Sequence, residues 1–506
     1  MKLKTTIILA TCGVLLSAAG AFAIPVQPSV TAEPPTAQIA AQGKGGAWSQ
    51  VGSRVTAGDT LLVDARLGHA TLGKSGRGET YLFAQVTGAD EAAAGASATP
   101  MNLAVVIDRS GSMKGDRIAN AMNAAVGALE RMRDGDSITV VSFDTSASVV
   151  VPPTRVSAGN RSSIEAAIRA IRLGGDTCIS CGLDEGMNQL ERTTLGGDRL
   201  NRVILLSDGV TNNGVRDMSG MRAKASDMRG RGVTISTIGV DVDFDEKMMA
   251  AIANEGNGRH YFVANASGLP AVFAQEFDDL LASVAKESEL AIELAPGVEV
   301  EEVFDRTFRR EGNKIVVPFG TFSAKQEKTV LVKLRVPTDR DGEQPVADLK
   351  LAFRDLVKKS DGSCDASLTL AVKEDGSEQT DLDPFVAARL ERSRTAQTLT
   401  EANKLFEQGR VGDARAKLAT RNAELRKKES SIVAAASAAP ATIAPRRPSR
   451  SVTKDLDDQS VALAEAERQF AQPPPAKAGA PAAGPGSREG KAQVRSNQQK
   501  AADFGF

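Results

Sequence analysis

The stretch Leu103-Ala-Val-Val-Ile-Asp108-Arg-Ser110-Gly-Ser112 constrains this chain more than any other, because an unbroken aliphatic run stops abruptly at a carboxylate and two hydroxyls. Consecutive aliphatics after a polar boundary suit a strand buried on both faces, as in a parallel sheet covered by helices. Asp108 then stands at the strand's C-terminal edge, where ligands bind in open α/β sheets because loops and helix N-termini converge there. Asp108, Ser110 and Ser112 occupy alternate positions and can turn three oxygens toward one point, with Gly111 permitting a tight bend between them. Hard oxygen donors of this kind suit a small divalent cation such as magnesium and give thiophilic metals little reason to bind.

Two further stretches extend the pattern. Gly174-Gly175-Asp176-Thr177 is a Gly-rich loop ending in a hydroxyl, and Val203-Ile-Leu-Leu-Ser207-Asp208-Gly209 is a second apolar run ending in a carboxylate. With Asp108-x-Ser110-x-Ser112 these residues resemble, in order, the metal-ion-dependent adhesion site of the von Willebrand factor A family, in its bacterial secreted or envelope type. The resemblance covers roughly residues 100 to 290. It implies a doubly wound fold and a binding module in place of an enzyme. It also implies a bound magnesium ion, or manganese or calcium, held directly by Ser110, Ser112 and Thr177 and largely through water by Asp108 and Asp208. A protein ligand presenting Asp or Glu would complete the shell. Taken singly, Ser112 or Asp208 would cap a following helix as readily as bind metal. Five positions in order weigh against capping alone.

The central region alternates as a parallel sheet with helices on both faces should. The spacing predicts helices over Asp116 to Arg133, Arg161 to Ile171, Ser180 to Arg192, Met218 to Arg231, from Asp245, and Leu269 to Lys286. Strands are expected over Ser137 to Phe143, Ala147 to Val151, up to Asp208, Thr234 to Gly239 and His260 to Val263. Asp116 reads as a helix N-cap. Asp241, Asp243 and Asp245 alternate like the start of a calcium loop, but Glu246 stands where the loop needs Gly and Ile252 where it needs Glu, so they read as a polar loop ending in a cap.

Outside this region the organisation changes. Residues 1–23 carry Lys2 and Lys4, an apolar core and Ala21-Phe22-Ala23, the pattern of a cleaved signal peptide, and residues 24–48 form a Pro- and Ala-rich spacer. Residues 49–92 hold two strand-like runs, too few to bury a core alone, and residues 289–375 alternate as short strands between Gly-, Pro- and Asp-rich turns. The two segments are therefore expected to form one antiparallel β-sandwich into which the 100–288 domain is inserted. Helical periodicity over 383–429, broken at Gly409, predicts a hairpin. Residues 430–506 are rich in Ala, Pro, Ser and Gln and read as disordered, apart from a short helix near Val461 to Phe470.

Composition narrows the function. Lys and Arg number 62 against 63 Asp and Glu, so no net field draws the chain to nucleic acid, and membrane contact is expected only if the N-terminal segment stays uncleaved. The only histidines, His69 and His260, lie far apart in sequence, which weakens His-dependent catalysis. Cys178 and Cys181 follow Thr177 directly, and in an exported protein (periplasmic, cell-surface or secreted) they are most simply a disulfide, leaving Cys364 over. The leading reading is metal-dependent protein binding in adhesion or envelope assembly. Its alternatives are a metal-assisted hydrolase, with no obvious base nearby, and a CxxC redox protein, without the usual strand-then-helix setting.

Overall fold

The aliphatic run that stops at Asp108 is a strand, Met101–Asp108, buried at every position. The computed structural model describes residues 51–90, 99–193, 195, 198–375, 379–439, 452–471 and 484–505; the signal-peptide and spacer readings at 1–48 lie outside them. In it, Met101–Asp108 occupies the middle of a six-stranded sheet ordered Asn257–Val263, Val233–Val240, Leu200–Ser207, Met101–Asp108, Ser137–Phe143, Ala147–Arg155. All pairings are parallel except the last, an antiparallel hairpin.

The strand is apolar throughout because its alternate residues feed two different cores. Leu103, Val105 and Ile107 pack with Ala121, Ala125 and Leu129 of helix Asp116–Arg131 and with Phe273 and Phe277 of helix Leu269–Leu281. Ala104 and Val106 face the other way, onto Ile179, Leu183 and Met187 of helix Ile179–Glu191 and Met249 of helix Glu246–Glu255. Each aliphatic side chain the size of Val, Leu or Ile buried this fully contributes about 1.5–3 kcal/mol. The strand's end, and Asp108 with it, is fixed by that packing.

Two expectations need correction. Helix Leu269–Leu281 does not reach Lys286: Ser283 already begins a strand, Ser283–Leu294, and Val284 and Ala285 are buried in the sandwich core. Burial there overrides the helical propensity of the Ala-Lys-Glu run. Asp116 is not a cap but the first helical residue, where its charge suits the positive helix end, and Gly115 with φ +81° takes the cap position.

The sandwich has a seven-stranded sheet and a five-stranded sheet. Strand Glu327–Thr338 runs antiparallel to Gly76–Gly88, from Glu327↔Thr87 to Thr338↔Gly76. The strands preceding the central domain thus complete a sheet made by those following it, and the central domain is an insertion. Between the sheets lie Val63, Leu82, Val86, Leu290, Ile292, Val317, Val332, Leu349 and Leu351.

Helices Pro384–Glu407 and Val411–Ala438 form the hairpin, turning at Gly409 with φ +77°. In the tail, residues 440–451 and 472–483 lie outside the described residues; the short helix expected near Val461 to Phe470 is longer, Val452–Ala471, and a second helix, Arg488–Gly505, stands where disorder was expected. Helices Val452–Ala471 and Arg488–Gly505 pack on the hairpin, burying Leu456, Leu463, Phe470, Val494 and Phe504 against Leu399, Phe406, Leu418 and Leu425. Phe406 and Phe470 stack with ring centroids 4.1 Å apart. Phe504 is buried, and the carbonyl of Gly505 accepts a hydrogen bond from Arg389. Among the described residues no helix is long and apolar enough to cross a membrane.

Candidate metal centre

Asp108 ends its strand fully buried, and both carboxylate oxygens are engaged. Oδ1 accepts the Ser110 N–H at 2.8 Å and Oδ2 accepts the Ser207 hydroxyl at 2.5 Å. Past this point the chain turns through Gly111–Met113, a single 3₁₀ turn, which sets Ser110 Oγ 3.0 Å from Ser112 Oγ. Ser112 Oγ in turn donates to Asp208 Oδ1 at 2.6 Å, and Asp208 directly follows the neighbouring strand Leu200–Ser207. Adjacent parallel strands that end together thus supply the two carboxylates.

Thr177 arrives from a loop held on both sides. The Gly111 N–H donates to the Gly175 carbonyl at 3.0 Å, and the Gly174 N–H donates to the Arg109 carbonyl at 2.7 Å. The Thr177 N–H donates to Asn212 Oδ1, and its carbonyl accepts from the N–H groups of Asn212 and Asn213. A side-chain carbon built at Gly209 would lie 3.3 Å from Thr177 Oγ1 and 3.5 Å from Ser112 Oγ, which puts both hydroxyls over one point. All five residues expected from the sequence therefore converge. Asp108, Ser110, Thr177 and Asp208 are buried, while Ser112 is exposed at the mouth.

Burial pushes the Asp108 carboxyl up to about 6, against the hydrogen bonds from Ser110 and Ser207 that favour its charge, and the nearby Asp208 adds to the rise. A cation among these oxygens would reverse that preference. Three hydroxyls and two carboxylates form a hard oxygen set suited to a magnesium-like ion. Among the described residues, no group of three or more His, Cys, Asp and Glu is placed to hold a metal ion.

Several neighbours escaped the sequence reading. Arg117, the second residue of its helix, donates to Asp208 Oδ2 at 2.6 Å and to the Ser112 carbonyl at 2.8 Å, while its other nitrogen contacts Asp241. Burial opposes its charge, but Asp208 and Asp241 outweigh that and hold the guanidinium above its usual value. Asp144, at the end of strand Ser137–Phe143, pairs with Arg109 at 3.0 Å and accepts the Gly175 N–H. The position of Ser207 beside Asp208 could have suggested a site role, and Asp241 was read only as part of a polar loop; Arg117 and Asp144 stand apart in sequence and reach the site through the topology. Asp245 caps its helix by accepting the Met248 N–H, as the pattern predicts. His260 bonds Thr237 Oγ1 at 2.9 Å, away from the cluster.

Cys178 and Cys181 form a disulfide with a Cα–Cα distance of 5.3 Å. Cys178 is fully buried and caps the following helix, so the bridge stiffens the residue next to Thr177. Cys364 is a buried free thiol, pushed up to about 12 by burial, and offers nothing to an intermolecular link.

Residues 102–275 match the family model of the von Willebrand factor type A domain. The central domain has the von Willebrand factor type A fold. A solved structure, the von Willebrand factor type A protein from Catenulispora acidiphila, is similar at a TM-score of 0.61 and 16% identity, covering 79% of this chain and 96% of that one. The likeness of fold thus reaches beyond the von Willebrand domain. An uncharacterized protein of Synechocystis is 27% identical over 267 residues, 51% of this chain and 62% of its own length. The uncharacterized protein YfbK of Escherichia coli is 30% identical over 272 residues, 51% of this chain and 46% of its own length. The chain spans less than two thirds of either relative.

Proposed function

We propose that this chain is a metal-dependent protein-binding module that captures an acidic side chain of a partner through a divalent cation. The observation that carries the reading is the convergence of Asp108, Ser110, Ser112, Thr177 and Asp208 at the ends of two adjacent strands and two loops, with only Ser112 exposed at the mouth. When bound, magnesium supplies an electrophilic position that a carboxylate oxygen can fill. The chain's own residues do the rest. Asp108 supplies charge from a dry setting, the three hydroxyls supply neutral donors, and the Cys178–Cys181 bridge with the Asn212 contacts holds Thr177 in place.

The same geometry argues against the alternatives. Both carboxylates of the cluster already accept hydrogen bonds, Asp208 from Arg117 as well, so neither stands free as a base to activate water. Cys178 is buried within its bridge, a setting for a structural disulfide and not for thiol exchange. A disulfide also accords with the export that the N-terminal sequence suggests, to periplasm, cell surface or medium.

The test is capture of partners from envelope extract with magnesium, with chelator, and with Asp108→Ala. Capture that needs the cation and Asp108 supports the reading; capture indifferent to both overturns it.

A further inference from the structure

The C-terminal helix Arg488–Gly505 has two working faces. Gly490, Val494, Asn497, Ala501 and Phe504 recur at spacings of three and four residues and are buried, the last four against the hairpin helices. Arg488, Lys491 and Arg495 recur at three and four along a second stripe, which lies on the loop entering helix Glu246–Glu255. Arg488 pairs with Asp241 through both ends of its guanidinium, at 3.1 and 3.0 Å. Lys491 pairs with Asp243 at 2.7 Å, and Arg495 pairs with Glu246 at 2.5 Å and donates to the Phe244 carbonyl.

This loop adjoins the metal centre. Asp241 is shared: one carboxylate receives Arg488 from the C-terminal helix and Arg117 from the central domain, and Arg117 also grips Asp208. Four acids, Asp208, Asp241, Asp243 and Glu246, thus face four bases, Arg117, Arg488, Lys491 and Arg495. The lip beside the centre is neutralised by a segment from the far end of the chain. A cation approaching it meets two exposed cationic side chains, Arg488 and Lys491, at 61% and 43% exposure.

We propose that the C-terminal helix is an autoinhibitory strap, whose basic stripe lowers the affinity of the neighbouring centre for its cation. Two effects act in the same direction. Withdrawal of the stripe leaves the lip with a surplus of negative charge, which draws cations within about one Debye length, roughly 8–10 Å. It also leaves Asp241 to Arg117 alone, so the guanidinium that occupies Asp208 gains a stronger competing anchor. Arg488 and Lys491 are solvent-exposed, so salt or a competing basic partner can reach their contacts, while the apolar stripe keeps the helix near the hairpin. The proposal rests on the cation-binding reading above.

The test uses the full chain with Arg488→Glu and Lys491→Glu together, and Arg488→Lys with Lys491→Arg as a charge-preserving control. Amide exchange over residues 488–505 reports whether the helix is held, and calorimetric titration with Mn²⁺ alone reports the centre. The expected result is faster exchange in the charge-reversed chain together with Mn²⁺ affinity at least about threefold tighter, both at wild-type values in the control. Unchanged exchange, or faster exchange with unaltered Mn²⁺ affinity in a wild type that does bind, overturns the strap alone. If none of the chains binds Mn²⁺, the cation-binding reading falls and takes the strap with it.

Discussion

Gly174 is the residue whose smallest enlargement should do the most damage to the centre. An added Cβ would lie 1.7 Å from Asp144 Oδ2 and 2.6 Å from its Cγ, well inside contact distance. Either the Asp144 carboxylate or the Gly-rich loop must move. If the carboxylate moves, it loses its pair with Arg109 at 3.0 Å and the Ser146 N–H at 3.1 Å, a charged and part-buried set worth about 1.5–3 kcal/mol. If the loop moves, the Gly111 to Gly175 contact goes and Thr177 shifts with it. Gly174→Ala should therefore cost about 2–4 kcal/mol, lost contacts and overpacking together. Asp144→Ala removes the obstacle as well as the ion pair. The double variant should then fall short of the sum of the two single costs by about 1–3 kcal/mol. Urea denaturation followed by circular dichroism measures all four chains, and strictly additive costs would refute the steric argument.

Two further outcomes follow from packing and burial. Burial raises the Glu246 carboxyl to about 7 despite Arg495, so the folded state holds a proton that the unfolded chain has released above its ordinary 4.5. Stability contributed by that proton is present below pH 4.5 and is lost as pH climbs toward 7; Glu246→Gln should flatten this part of a stability–pH profile measured by thermal melts, and an unchanged slope counts against the burial argument. Phe470→Ala deletes a ring stacked on Phe406 and should lower the opening free energy of helix Val452–Ala471 by about 3–5 kcal/mol, seen as faster amide exchange there; exchange equal to wild type would mean the helix is not held by that stack.

The parts of the fold that the sequence exposed are those where one physical demand acts alone. The run Leu103 to Ile107 has to be buried on both faces, and its termination at Asp108 reads directly as a strand end. Strands over residues 49–92 were assigned to the later sandwich because they are too few to bury a core, and Gly76–Gly88 does pair with Glu327–Thr338. The tail misled because its average composition is polar and Ala-rich. Leu456, Leu463 and Phe470 need only a narrow groove, and that groove exists because the hairpin leaves one. Arg117 and Asp241 are 124 positions apart and meet only through the order of the parallel strands. No local pattern announces such a pair. The convergence of Asp108, Ser110, Ser112, Thr177 and Asp208 was legible because strand ends and a Gly-rich loop mark them locally, whereas the basic stripe that reaches Asp241 comes from a segment whose helix had to be seen docked.

The most direct test of the account is cation binding by the purified chain. Calorimetric titration with Mg²⁺ or Mn²⁺ should show one saturable equivalent, weakened more by Asp108→Ala, which removes a charge from the shell, than by Thr177→Ala, which removes one neutral oxygen. Circular dichroism of both variants should match wild type, since neither change enters the apolar strand interior. Saturable binding that survives Asp108→Ala unchanged, or no saturable binding by the wild-type chain, would contradict the claim that these five residues form a metal centre.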